Sequence, residues 1–446
     1  MSSPLLRRWL APVWLILIAL VLVALHVHTY TKVGPIDELQ HIDYLYKSPA
    51  IVAMGDRDGQ AAMREEACRG IDFPGNFHLP PCSSTATYNP QRFPELGYNT
   101  AAINTPLYYT LTKVASRPLQ FIPGLGDLVT AGRLVGGLWL GLGLALAYGA
   151  GRLLRIDRLP LAAALTMLAC SPRILYSAAT ISPDAMDVTV GAGVFLTFLY
   201  WEREPARRWP LLVLVSAIVI LLKMTNVMVL FAMGVYLAIV IARRLFARLT
   251  ADGARDPRSN QPIAPWVWGG IGLLVTTVVV AGATLLVQSS MSHGASAIPM
   301  NTQFAVSAFP MQGFIQQLGV YVNPLTPNPV RIGSPLLQLL IERAIGAFFT
   351  AGLIGAALFW VSRTKLRLYA QALLITAIIG GPMFVLVSVF GQSVYVPPPA
   401  RYAATLTPAI AVVTAGLLKT RGAQWVVALG SFGVLVASVL RLLPVR

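Results

Sequence analysis

The sequence predicts an all-α polytopic membrane protein, and three observations carry that prediction. Of 446 residues, 56% are hydrophobic and only 12% charged, too few to give a soluble protein of this size a polar exterior. Apolar runs long enough to cross a bilayer recur from one end of the chain to the other. The formal charge of +16 sits largely in short arginine-rich connections between those runs, as expected of cytoplasmic loops. That placement explains the charge without nucleic acid as a partner.

The elements follow in order. Arg7 and Arg8 precede an apolar run from about Trp9 to His28, which reads as a retained signal anchor with its N-terminus in the cytoplasm. Residues 29–104 form a first outer loop, in which Ile36–Val52 has the periodicity of a short surface helix. Cys68 and Cys82 lie fourteen positions apart in this loop, and outside the cytoplasm they would pair as a disulfide. Asn104-Thr105-Pro106-Leu107-Tyr108-Tyr109 leads an amphipathic segment expected to lie along the interface. Further spans are expected at about 129–151, 159–178, 185–201, 209–223, 225–242 and 264–287. Cys170 falls inside one of them as a small core residue. The Arg-, Asp- and Pro-rich stretch 243–262 reads as a solvated linker. A second outer loop, 288–338, is almost uncharged and is expected to hold interfacial helices, not a folded domain. Spans at about 339–361 and 368–390 follow, and two more close the chain, for about eleven in all. Together they make one integral membrane domain over 1–446 with no separate soluble domain. Every arginine cluster then faces the cytoplasm, and no transporter-like internal repeat is evident.

This topology collects polar residues on the outer face, and polar groups near a bilayer mark a functional site by default. The central stretch is Gly34-Pro35-Ile36-Asp37-Glu38-Leu39-Gln40-His41-Ile42-Asp43-Tyr44. On a helix Asp37 and Glu38 stand four and three residues before His41, so the three can share one face. That suits proton transfer or weak metal binding. A proline followed by two carboxylates is equally an ordinary dipole-stabilised helix start. Ser182-Pro183-Asp184-Ala185-Met186-Asp187, Lys223 and Pro397-Pro398-Pro399-Ala400-Arg401-Tyr402 lie on the same side. Cations come from Arg401 and Lys223, with Arg133 and Arg173 at other span ends. A phosphate at headgroup depth would want those cations, and a hydroxyl nucleophile beside it would want the carboxylate. Each has a plainer reading too: Arg401 as a snorkelling arginine, Asp184 as a helix cap, Lys223 as a helix end, and Tyr108 and Tyr109 as a headgroup belt.

Taken in order, Pro35-Ile36-Asp37-Glu38 with His41, Thr105-Pro106-Leu107-Tyr108-Tyr109, Ser182-Pro183-Asp184-Ala185, and Arg401-Tyr402 with Pro408 resemble the motifs of bacterial GT-C glycosyltransferases. The nearest resemblance is to a multi-spanning branch with a Pro-x-Asp-Glu-x-x-His first loop, and it covers most of the chain. Ile36 departs from relatives that place Asp directly after the proline. Asn104-Thr105 departs from those with a His-Pro or Gln-Pro pair. The resemblance implies an enzyme of the bacterial inner membrane, active on the periplasmic or extracellular side. It would move a sugar from a polyprenyl-phosphate-linked donor to a glycan, lipid or protein acceptor. It implies Asp37, with Glu38 as its rival, as general base in an inverting transfer. Substrate would be bound among His41, Tyr44, Asn104, Tyr108, Tyr109, Asp184, Lys223, Arg401 and Tyr402. A divalent metal on Asp37, Glu38 and His41 fits the residue types, although a lipid-phosphate donor does not require one. Competing readings are a transporter or flippase of a lipid-linked sugar, a polysaccharide polymerase or ligase, and a non-catalytic assembly partner.

Overall fold

The computed structural model describes residues 4–72, 78–249, 262–294, 298–325, 330–359 and 364–443. Among them the chain is all-helical, with three isolated bridges and no strand. Most of the predicted linker 243–262 lies outside the described residues.

Helix α1 (Pro4–Thr29) leads into the first outer loop, which carries α2 (Glu38–Lys47) and α3 (Gln60–Arg69) before α4 (Leu107–Gln120). Next come α5 (Leu128–Leu153), α6 (Arg158–Ala169), α7 (Pro172–Ala178) and α8 (Asp187–Trp201). They are followed by α9 (Pro205–Leu222), α10 (Val227–Leu249) and α11 (Ala264–Met291). The second outer loop contributes α12 (Pro299–Gln303) and α13 (Met311–Gln316). The chain closes with α14 (Pro335–Leu358), α15 (Thr364–Gln392), α16 (Thr407–Ala415) and α17 (Arg421–Leu442). Eight described helices are long and apolar enough to cross a membrane, or nine if α6 and α7 count as one bent span. They turn large apolar side chains outward, among them Leu17, Trp268, Leu274, Val279, Leu429 and Phe432, as lipid-facing helices do.

Three predicted spans take a different form. The run 159–178 breaks at Ser171-Pro172, and α7 leaves α6 at 66°. Proline removes a helical N–H and crowds the preceding turn, so the apolar run cannot remain one rod. All seven residues of α7 are buried. The run 185–201 becomes a 3₁₀ turn, Pro183–Met186, followed by the 15 residues of α8. The next-to-last span is likewise a 3₁₀ turn, Ala400–Leu406, followed by the nine residues of α16. Glycine-rich α5 lets these short pieces pack close, since a Cβ on Gly136 would run into the Ala178 carbonyl.

The first outer loop is a folded cap, not a surface helix with tails. Residues 38–45 of α2 are all buried beneath the later part of the loop and α4. Cys68 and Cys82 are disulfide-bonded, as the sequence suggests, and Cys170 is a buried free thiol. Helix α4 buries Tyr108, Tyr109, Thr112 and Ser116 while Leu111 and Val114 stay exposed, the amphipathic pattern its sequence predicts.

The second outer loop also does more than lie along an interface. The His293 N–H donates to the Met54 carbonyl at 2.9 Å, tying this loop to the first. The chain then dips beside the middle of α15, where the Gly319 N–H donates to the Ile378 carbonyl at 2.9 Å. Pro382 explains that bond. It has no N–H to give the carbonyl four residues earlier, and at membrane depth an orphan carbonyl needs another donor. Close approach requires Gly381, because a Cβ there would meet the Gln317 carbonyl oxygen at 2.5 Å.

Candidate functional site

The acidic stretch divides its residues among different tasks. Asp37 caps α2 in the left-handed region, φ 58°, and its side chain makes no capping bond. That backbone costs a non-glycine residue about 1 kcal/mol, less for Asp than for most. The carboxylate stands clear of the helix, 47% exposed at the mouth of a polar recess. Glu38 points the other way, with both oxygens engaged. Oε1 accepts from Arg133 Nε at 2.9 Å and the Ile181 N–H at 2.9 Å, while Oε2 accepts from Arg133 Nη2 at 2.7 Å and from the Gly34 N–H. Both side chains of this ion pair are 1% exposed.

His41 meets neither carboxylate. Its Nδ1 lies 2.7 Å from the Tyr109 hydroxyl, and its ring stacks on that tyrosine. Burial is the main reason the imidazole is pushed down to about 3; Asp184 pulls it up, and Arg401 and Lys223 push it further down. It is therefore neutral at pH 7. The predicted convergence of Asp37, Glu38 and His41 does not form, because the left-handed cap turns Asp37 outward and Arg133 draws Glu38 inward. Among the described residues no three His, Cys, Asp or Glu side chains group as metal ligands, and these three do not supply such a set.

What does converge with Asp37 comes from three later segments. The Arg401 Nη2 lies 3.6 Å from Asp37 Oδ2, and its Nε lies 3.6 Å from Asp184 Oδ2. Lys223, held at the extended break between α9 and α10, reaches Asp184 at 2.6 Å and Asp187 at 3.5 Å. The Tyr402 ring lies 5.6 Å from the Lys223 ammonium and 5.7 Å from the Arg401 guanidinium. Side-chain exposure falls from 47% at Asp37 through 19% at Arg401 to 8% at Lys223, so the cluster has a mouth and a floor. Burial alone would raise the Asp184 carboxyl, but Lys223 above all, with Arg401 and Arg173, holds it well below the usual carboxylate range. Asp37 is raised above its ordinary value, chiefly by the protein packed around it. Arg401 opposes that shift and Asp184 adds to it.

Four residues expected to bind substrate have internal partners in this structure. Tyr44, Tyr108 and Tyr109 are at most 1% exposed, and Tyr44 stacks on Tyr109 at 4.1 Å. The Tyr44 hydroxyl donates to the Asn104 carbonyl at 3.1 Å, and the Asn104 side-chain amide donates to the Ala101 carbonyl. Tyr108 accepts from the Ser182 N–H at 3.3 Å, which fixes the turn carrying Asp184. These aromatics position the site from behind. The sequence places Asp187 in the Ser182–Asp187 stretch without assigning it a role, although its spacing three residues after Asp184 at a helix start puts both on one face. It named Arg173 only as one of several end-of-span cations, yet an arginine inside an apolar run is itself a signal. A separate groove of about 190 Å³ lies among Trp14, Leu159, Thr166 and Phe432, is apolar and does not touch the recess.

No protein-family model matches the chain, and no curated protein sequence matches it. The recess geometry and the sequence motifs are therefore what a functional reading stands on.

Proposed function

We propose that the chain is a membrane glycosyltransferase of the GT-C kind, moving a sugar from a polyprenyl-phosphate-linked donor to an extracytoplasmic acceptor. The observation that carries this reading is the half-exposed Asp37 carboxylate within 3.6 Å of a guanidinium that also borders the Asp184–Lys223 pair. A base and an anion-stabilising cation are thereby side by side at one recess. Asp37 would take the acceptor hydroxyl proton while the oxygen attacks the anomeric carbon with inversion. Arg401 would stabilise the charge developing on the departing phosphate. Lys223 acts indirectly, holding Asp184 and Asp187 so that Arg401 keeps its place. Glu38 has no free lone pair for catalysis and serves as a pillar.

The finer topology belongs to the same proposal. Counting the bent α6–α7 pair and the short α8 and α16 as crossings gives eleven, with the N-terminus cytoplasmic and the recess outside a bacterial inner membrane. The Cys68–Cys82 disulfide supports that orientation, since such bonds persist in oxidising compartments.

The test is sugar transfer from a polyprenyl-phosphate-linked donor by purified wild-type and Asp37→Asn protein. Loss of at least a hundredfold with unchanged folding is expected, and full turnover by the variant would remove Asp37 from the base role. A second reading, a flippase for lipid-linked sugars, is favoured by the broken α6–α7 pair beside the recess, because transporters bind substrate at such breaks. Donor movement across vesicles without chemical transfer would select it.

A further inference from the structure

Arg173 is the recess cation with no carboxylate holding it. It stands one residue into α7, is 5% exposed, and its Nε is buried without a hydrogen-bond partner. Among the described residues no carboxylate lies within ion-pair distance of it, whereas Lys223 and Arg401 each have two. Its charged neighbours are Arg401, Asp184 and Asp187, acting on it at longer range. One helical turn on, Tyr176 is also 5% exposed, and its hydroxyl is buried without a partner. Positions three apart share a helix face, so α7 offers two unused donors on one side. A guanidinium buried with its Nε unpartnered and no carboxylate within ion-pair distance lowers the stability of the folded chain, a cost that a bound anion would offset.

We propose that Arg173 is the anion-binding residue of the recess, holding the single charge of a phosphodiester donor, and that Arg401 passes from Asp37 to the phosphate as the donor bond breaks. This rests on the glycosyl-transfer reading and deepens it. The acceptor O–H proton goes to Asp37, and the acceptor oxygen bonds to the anomeric carbon. The carbon–oxygen bond to phosphate breaks with its electron pair left on the phosphate oxygen. Asp37 thus goes from one negative charge to none while the phosphate goes from one to two. The recess keeps its net charge, and Arg401 needs only to change partner. At 3.6 Å from each carboxylate, beyond ordinary hydrogen-bond length, it is held loosely enough to do so. One unpaired cation also matches a monophosphate-linked donor better than a diphosphate-linked one.

The test uses the purified full-length protein with two probes, a prenyl methyl phosphodiester and the corresponding prenyl alcohol. Wild type should bind the diester at least tenfold more tightly than the alcohol. Arg173→Met should lose that preference and raise the Tm of the ligand-free protein, while Arg173→Lys keeps part of the preference. A lower ligand-free Tm in Arg173→Met would assign the arginine to structure and overturn the proposal. If Arg173→Met keeps the preference and Arg401→Met loses it, the proposal falls while the glycosyl-transfer reading stands. If wild type does not distinguish the two probes, both fall.

Discussion

Asp37 and Glu38 are sequence neighbours whose environments give them opposite work. Asp37 sits where burial raises its pKa and Arg401 lowers it, and a base must be deprotonated to act. On the proposed base role, transfer should rise with pH through the Asp37 pKa. Removing Arg401 removes the lowering influence, so in the residual activity of Arg401→Gln the rising limb should move to higher pH. A pH–kcat profile at saturating donor reads the shift, and an unmoved limb would separate Arg401 from Asp37. Glu38→Gln leaves Arg133 charged and buried without its counter-ion, which should cost about 3–5 kcal/mol. Thermal unfolding would show it, and Glu38→Gln with Arg133→Met should recover most of the loss. The sequence singles out Asp37 and Glu38 as a pair, and only the family resemblance puts Asp37 first. What separates them is a left-handed backbone and an arginine 95 residues away in the chain.

The helices are legible in the sequence in outline, and their interruptions are not. Long apolar runs such as α1, α11 and α17 follow from hydropathy alone, because lipid asks only that they be long and apolar. Ser171-Pro172 and Gly380-Gly381-Pro382 are visible as letters, yet what each proline does depends on partners hundreds of positions or a whole loop away. The first swings Arg173 into the recess. The second leaves the Ile378 carbonyl to the Gly319 N–H. Gly381→Ala should push the loop off α15 and destabilise the fold by about 1–3 kcal/mol. The change would be read as faster labelling of a cysteine placed at Asn323, and unchanged labelling would show that the loop tolerates the methyl group.

At the scale of the molecule, the loop that carries Asp37 folds as a cap whose own interior is acidic. Asp58 and Glu66 lie inside the first outer loop with no partner for their carboxyl oxygens, and burial raises both, Glu66 to about 8. A carboxyl that folds in its protonated form stabilises the cap fully below its ordinary value of 4.5. That contribution is lost progressively as pH climbs to about 8. Hydrogen exchange across α3, taken relative to its intrinsic rate, should accelerate between about pH 5 and 8 and level off above, and Glu66→Gln should flatten the dependence. A pH-independent exchange ratio would remove Glu66 as its cause. The cap's disulfide was legible from cysteine spacing and setting, but its buried acids were not, since nothing in their local sequence distinguishes them from solvated ones.

The bond from Gly319 to Ile378 has a bearing on how the protein is made. Its donor segment leaves the ribosome before α15 does, so the proline-containing helix meets a ready partner when it enters the bilayer. A chain altered within 317–325 would present the insertion machinery with a span carrying an unanswered carbonyl. Its loss would then register as degraded nascent protein well before any substrate is encountered.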